Sequence, residues 1–118
     1  MSMTLFNRRA PRRGGGRALV LAAALALCAS GAIAGEVHVQ IDNFSFNPAA
    51  VSIKPGDTIV WENGDDIPHN VVSSDRTTFR AKVMDTGEKF SFTFSAAGTF
   101  EYFCALHPHM QGEIKVAP

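Results

Sequence analysis

Three residues with metal-binding side chains lie three positions apart near the C-terminal end of the chain. Cys104, His107 and Met110 offer a thiolate, an imidazole and a thioether within the segment Phe103–Gly112. The same spacing would suit one face of a helix, but Pro108 lacks a backbone N–H and disfavours helical geometry in the residue before it. The segment is therefore predicted to be a loop that joins two strands and presents soft donors to a metal.

A fourth donor is expected from His69, which precedes Cys104 by 35 residues. Zinc sites rarely use methionine, and iron–sulfur clusters need several cysteines. A trigonal site of two histidines and one cysteine with a long axial methionine is the donor set of blue-copper centres. The four residues, His69, Cys104, His107 and Met110, are therefore predicted to bind one copper ion.

Each of these residues taken alone has a more common role. An unpaired cysteine is usually a small buried hydrophobe, a loop histidine is usually hydrogen-bonded, and a methionine usually fills the core. Met84 is also a rival sulfur donor to Met110. The joint spacing of the four side chains favours a metal site over four separate coincidences.

The motifs around these residues resemble those of the cupredoxins, and most closely the amicyanin-like proteins. The matching segments run from about Glu36 to Val116 and are Lys54–Thr58, Trp61–Asn63, Pro68–Val71, Gly98–Phe100, Tyr102, Cys104, His107–Pro108 and Met110. The resemblance implies a Greek-key β-sandwich with a type 1 copper site. It also favours Met110 over Met84, because the short Cys-x-x-His-x-x-Met spacing is that of amicyanin. Ala105 and Leu106 depart from the Thr-Pro pair of that loop.

The resemblance implies a role for several neighbours of the site. His107 is expected to project one imidazole edge through an apolar patch formed by Pro68, Leu106 and Pro108, where electrons enter and leave. Asn70 resembles the residue that ties the two ligand loops together by a hydrogen bond.

Leu106 stands where the family has a proline, so it has an N–H group that the proline lacks. We expect this N–H to donate a second hydrogen bond to the sulfur of Cys104.

Redox protein partners are likewise implied by the resemblance. Amicyanins carry single electrons from methylamine dehydrogenase to a c-type cytochrome, so a dehydrogenase as donor and a c-type cytochrome as acceptor are expected for a monomeric carrier. The competing function is periplasmic copper carriage or buffering with the same donors.

The first 34 residues are predicted to be a secretory signal peptide. Residues 1–17 carry five arginines and no acidic residue, Ala18–Ala29 is an apolar run too short to span a bilayer comfortably, and Ala32–Ala34 is a small-residue cleavage pattern. Cleavage before Gly35 leaves the domain 35–118 in the periplasm, with no membrane span. The two arginine pairs leave the choice between the general secretory and twin-arginine routes open.

Removal of the leader changes the charge balance of the protein. The remaining 84 residues contain six Lys and Arg against eleven Asp and Glu, a net charge of −5, and one cysteine. This acidic balance argues against nucleic acid as a partner and suits a cationic one. Asp65 and Asp66 are expected to lie in a solvated loop that could steer such a partner.

Alternating apolar and polar residues predict short strands and no long helix in residues 35–118. The segment Ser74–Gly87 lacks clean alternation and is expected to hold a loop with a short edge strand near Phe79–Ala81. Seven or eight strands separated by turns predict an all-β sandwich. The clearest strands are Glu36–Ile41, Thr58–Glu62, Glu88–Phe94, Thr99–Cys104 and Glu113–Val116.

The sequence argues against catalysis. Multicopper oxidases flank the copper-binding cysteine with histidines, whereas Phe103 and Ala105 flank Cys104. No second cluster of histidines, no nucleophile–base pair and no phosphate-binding loop stands out. His38 and His109 are expected to be exposed and unligated, so the protein is predicted not to be an enzyme.

Overall fold

Eight short strands form two four-stranded sheets in the computed structural model, which describes residues 33–118. One sheet has the order β2-β1-β4-β6 and the other β3-β8-β7-β5. Each sheet contains one parallel pair, β1 with β4 and β3 with β8. The strands are β1 Glu36–Asp42, β2 Ser45–Asn47, β3 Ala50–Ile53, β4 Thr58–Asn63, β5 Val72–Ser73, β6 Lys89–Thr93, β7 Gly98–Phe103 and β8 Gln111–Val116.

This architecture confirms the predicted all-β Greek-key sandwich. The chain crosses from one sheet to the other between β2 and β3 and at each later connection up to β7. Within residues 33–118, no helix is long and apolar enough to cross a membrane. The predicted signal peptide, apart from residues 33 and 34, lies outside the described residues.

The alternation in the sequence corresponds to the inward faces of the two sheets. Val39 and Ile41 of β1 are fully buried, while His38 and Gln40, which alternate with them, are exposed, as predicted for His38. The central strand β4 is buried on both faces, because Ile59, Val60 and Trp61 are all buried. The two sheets thus enclose an aromatic core between their inward faces.

The predicted edge strand near Phe79–Ala81 is reduced to a single β-bridge between Arg80 and Val72. Phe79 and Ala81 are nevertheless buried. The N–H of Phe79 donates to the hydroxyl of Ser73 at 3.1 Å, and this side-chain bond takes the place of a ladder bond. The segment therefore packs like a strand without extending the sheet.

Tyr102 of β7 lies in the core directly beneath Gly112 of β8. A Cβ atom added at Gly112 would come within 2.3 Å of the phenol, so glycine is required for this close approach. Within residues 33–118, neither the phenol oxygen nor the indole N–H of Trp61 makes a hydrogen bond of ordinary geometry. Burial raises the pKa of Tyr102 to about 12, although the neighbouring indole N–H partly offsets the rise.

We expect the raised pKa of Tyr102 to produce a loss of stability at alkaline pH. The unfolded chain loses its phenol proton near pH 10, so stability is full below that pH and falls between about pH 10 and 12, by at most about 1.4 kcal/mol per unit. Tyr102 is the only tyrosine, so phenolate absorbance reports its titration alone. A midpoint near 10 in the folded protein would contradict this, and Tyr102→Phe provides the matched control for the stability curve.

Candidate metal centre

Two histidines and a cysteine converge at one end of the sandwich. The Sγ atom of Cys104 lies 3.7 Å from Nδ1 of His69 and 3.8 Å from Nδ1 of His107, and the two Nδ1 atoms are 3.2 Å apart. A circle through these three atoms has a radius of about 2.1 Å, close to ordinary metal–nitrogen and metal–sulfur bond lengths. His69 and Cys104 are fully buried, and His107 is partly exposed. The three donor atoms are therefore spaced to surround one metal ion.

The loop between β7 and β8 carries three of the four candidate ligands. The N–H of His107 donates to the carbonyl of Cys104 at 3.2 Å, and the N–H of Met110 donates to the carbonyl of His107 at 2.9 Å. The N–H of Cys104 closes the loop by donating to the carbonyl of Met110 at 3.1 Å. The three-residue spacing therefore reflects consecutive turns rather than a helix, and Met110 is buried.

The segment after β4 holds the backbone of His69. The buried amide of Asn63 donates to the carbonyls of Ile67 and Met84 at 2.9 and 3.0 Å. Its oxygen accepts the N–H of Asp65 at 2.9 Å. His69 and Met84 then form a β-bridge with two backbone hydrogen bonds. These hydrogen bonds within the protein fix the backbone of His69 without any contribution from a metal ion.

Asn70 joins the two ligand-bearing segments. Its side-chain oxygen accepts the N–H of Ala105 at 2.8 Å, and its own N–H points at the sulfur of Cys104 at 3.5 Å. The structure thus confirms the predicted tie between the loops. The N–H also places a hydrogen-bond donor at the sulfur atom that carries charge as a thiolate.

The carboxylate of Asp65 determines which nitrogen of His69 faces the site. Nε2 of His69 lies 2.7 Å from Oδ2 of Asp65, and this side chain of His69 is fully buried. The pKa of Asp65 is held below its ordinary value, chiefly by the N–H of Phe44, so the group is an ionised acceptor. Nε2 therefore carries the proton, and the lone pair of Nδ1 is directed toward Cys104 and His107.

The chain matches the family model described as copper binding proteins, plastocyanin/azurin family, over residues 33–117. It belongs to that family. Its cofactor is one copper ion, and the donor set fits this ion because a thiolate and two imidazoles with an adjacent thioether are the ligands of blue-copper sites.

Amicyanins are among the relatives of this cupredoxin. It is 36% identical to amicyanin from Paracoccus versutus over 70% of this chain and 66% of that protein. It is 33% identical to amicyanin-alpha from Methylorubrum extorquens over 85% of this chain and 98% of that protein. The crystal structure of the P. versutus amicyanin superposes with a TM-score of 0.64 at 34% identity, over 76% of this chain and 87% of the other.

The family assignment agrees with the prediction that the protein is not an enzyme. A copper-containing nitrite reductase from Thermus scotoductus also shares the fold, with a TM-score of 0.65 and 30% identity over 70% of this chain. That likeness covers only 22% of the reductase chain. The cupredoxin fold is therefore shared with one part of a larger enzyme.

The surface around His107 is more apolar than the sequence indicated. Pro68, Leu106 and Pro108 are exposed, as predicted for the apolar patch. Phe44 is also exposed, and its ring meets the imidazoles of His69 and His107 edge to face.

Sequence reasoning missed the contributions of Phe44 and Asp65 to the site. Phe44 belongs to none of the motifs identified in the sequence, and Asp65 is expected from the sequence only as part of a solvated loop. The sequence feature that could have indicated Asp65 is its position four residues before His69. The feature that could have indicated Phe44 is its place in a two-residue turn between alternating segments.

Two other expectations about the site have different outcomes. His109 is exposed and lies outside the His69, Cys104 and His107 cluster, as expected. The prediction that the N–H of Leu106 donates a hydrogen bond to the sulfur of Cys104 is wrong, because no such bond is formed among residues 33–118. The backbone N–H that donates to this sulfur is that of Asn70.

Proposed function

We propose that this cupredoxin is a periplasmic electron carrier whose copper ion is held by His69, Cys104, His107 and Met110. The observation that carries the proposal is the close spacing of Cys104 Sγ and the Nδ1 atoms of His69 and His107. Cys104 and His69 are buried, and the imidazole of His107 is partly exposed. Bound copper supplies a one-electron couple between Cu(II) and Cu(I). The partly exposed imidazole provides the path between that couple and the surface.

The protein's part in electron transfer is to keep the donor atoms still. Asp65 fixes the ring of His69, and Asn70 fixes the spacing of the two loops. Both act through hydrogen bonds within the protein, so the donor geometry does not depend on the charge of the metal. A site that moves little between oxidation states has a small reorganisation barrier.

Redox protein partners follow from the same site. An apolar rim around the partly exposed imidazole of His107 suits brief contact with another redox protein, and the resemblance to amicyanins supports a dehydrogenase as donor and a c-type cytochrome as acceptor. The arginine-rich leader supports export to the periplasm, with residues 35–118 as the mature, monomeric domain.

The proposal is tested on residues 35–118 loaded with one equivalent of Cu(II). We expect an intense thiolate-to-copper absorption band and narrow copper hyperfine splitting, bleached by ascorbate and restored by an oxidant. A weakly coloured complex with square-planar parameters would overturn the proposal and favour copper carriage or buffering.

The axial position is tested by comparing two buried methionines. We expect Met110→Leu to raise the reduction potential by about 59 mV or more, because loss of the thioether destabilises Cu(II) more than Cu(I). Met84→Leu is the matched control and should leave the potential unchanged, although Met84 is also buried and its backbone forms a β-bridge with His69. The opposite pattern, measured by voltammetry, would assign the axial position to Met84.

A further inference from the structure

Phe44 has a backbone conformation that phenylalanine rarely adopts. The pairing of Asp42 with Ser45 leaves Asn43 and Phe44 as a two-residue hairpin turn, with φ angles of 52° and 57°. Positive φ at both positions defines the turn type in which asparagine is favoured first and glycine second. A bulky side chain at the second position is strained, and backbone strain of this kind is concentrated at functional sites.

The side chain of Phe44 adds little to the hydrophobic core. It is 47% exposed, yet its ring centroid lies 5.1 Å from that of His107 and 5.5 Å from that of His69. The interplanar angles are 88° and 87°, so both contacts are edge to face. Aromatic pairs in this arrangement attract each other through their quadrupoles. The strained residue therefore touches both candidate histidine ligands at once.

Asp65 links the hairpin to the metal centre. Its carboxylate accepts the N–H groups of Asn43 at 2.6 Å and Phe44 at 3.0 Å. The same carboxylate meets Nε2 of His69 at 2.7 Å. One acceptor thus holds both the tip of the hairpin and the ring that the hairpin covers.

We propose that Phe44 is a positioning residue that clamps the imidazoles of His69 and His107 and limits their reorientation when copper changes oxidation state. His107 depends on this clamp more than His69 does, because His69 is already held by Asp65 and by full burial. The proposal rests on the proposed function, since it assigns both histidines to copper.

The test is Phe44→Gly, which removes the ring and relieves the strain by creating an Asn-Gly turn. We expect the Tm of the metal-free variant to equal or exceed that of the wild type. We expect Cu(II) affinity, measured by chelator competition, to fall at least tenfold more than Cu(I) affinity. A tenfold difference raises the reduction potential by about 59 mV.

Val83→Ala is the matched control, because Val83 is 51% exposed and next to Met84 but contributes no ring. We expect this variant to keep the wild-type affinities and potential. Unchanged copper affinities and potential in Phe44→Gly would overturn the clamp and leave Phe44 as a surface contact only. A large drop in the Tm of the metal-free variant would also overturn it, by showing that Phe44 serves the fold.

The failure of the clamp and the failure of the proposed function are distinguishable. If the wild type cycles between Cu(II) and Cu(I), and Phe44→Gly has the same copper affinities and potential, only the clamp is disproved. If the wild type binds copper without cycling, the affinities and Tm values still report whether Phe44 holds the two imidazoles.

Discussion

Cys104→Ala is expected to abolish the intense visible absorption of the Cu(II) protein. Cys104 is the one cysteine in residues 33–118, it is fully buried, and its Sγ lies within 3.8 Å of both Nδ1 atoms. Only a thiolate supplies the charge-transfer transition of a blue-copper site, and the remaining imidazoles and thioether give a weakly coloured complex. The absorption and electron paramagnetic resonance spectra of the copper-loaded variant measure this loss.

The same variant should retain its fold. Replacing a buried thiol with a methyl group leaves a small cavity, so the metal-free protein should lose less than about 2 kcal/mol of stability. Cys104→Ser is the companion variant, since it keeps the size of the side chain and replaces the soft donor with a hard one. A blue spectrum in either variant would show that the thiolate of Cys104 is not the source of the band.

The largest loss of stability is expected from Trp61→Ala. Trp61 is fully buried in β4, and its ring centroid lies 5.4–5.6 Å from those of Phe79, Phe90 and Tyr102. Removing a buried tryptophan costs about 3–5 kcal/mol, a large fraction of the 5–15 kcal/mol that stabilises a typical domain. Chemical denaturation of the metal-free protein gives the free energy of unfolding directly.

Trp61→Phe is the matched control for this substitution. It keeps an aromatic ring among the same neighbours and removes an indole N–H that has no hydrogen-bond partner of ordinary geometry in the part of the chain that the structure describes. We expect it to lose much less stability than Trp61→Ala. Equal losses would mean that the contribution of Trp61 comes from its size or its N–H rather than from aromatic packing.

Much of the fold could be predicted because burial in a two-sheet sandwich imposes alternation. Val39 and Ile41 are buried in β1 while His38 and Gln40 are exposed, and Tyr102 and Cys104 share an inward face at the end of β7. The segment near Arg80 was predicted less well, since its hydrogen bonds involve the side chain of Ser73. Hydrogen bonds to side-chain acceptors do not produce a periodic pattern in a sequence.

The site could be predicted only in part for a related reason. Cys104, His107 and Met110 are close in sequence, so their spacing is visible, and His69 is the further histidine that completes a blue-copper donor set with them. Phe44 reaches the same site from a distant hairpin, and its turn lacks the glycine that normally marks such turns. Its part in the site depends on a backbone conformation that composition and periodicity do not encode.

The ligand loop between β7 and β8 has an evolutionary consequence. Its hydrogen bonds join Cys104, His107 and Met110 to one another, and the pairing of Phe103 with Gln111 fixes the strands at its base. Insertions or deletions inside such a self-contained module leave the strand register intact, so the redox properties can diverge while the scaffold is inherited unchanged. Any exchanged loop must preserve the hydrogen bond from the N–H of Ala105 to the side-chain oxygen of Asn70, because this bond connects the loop to the segment that carries His69.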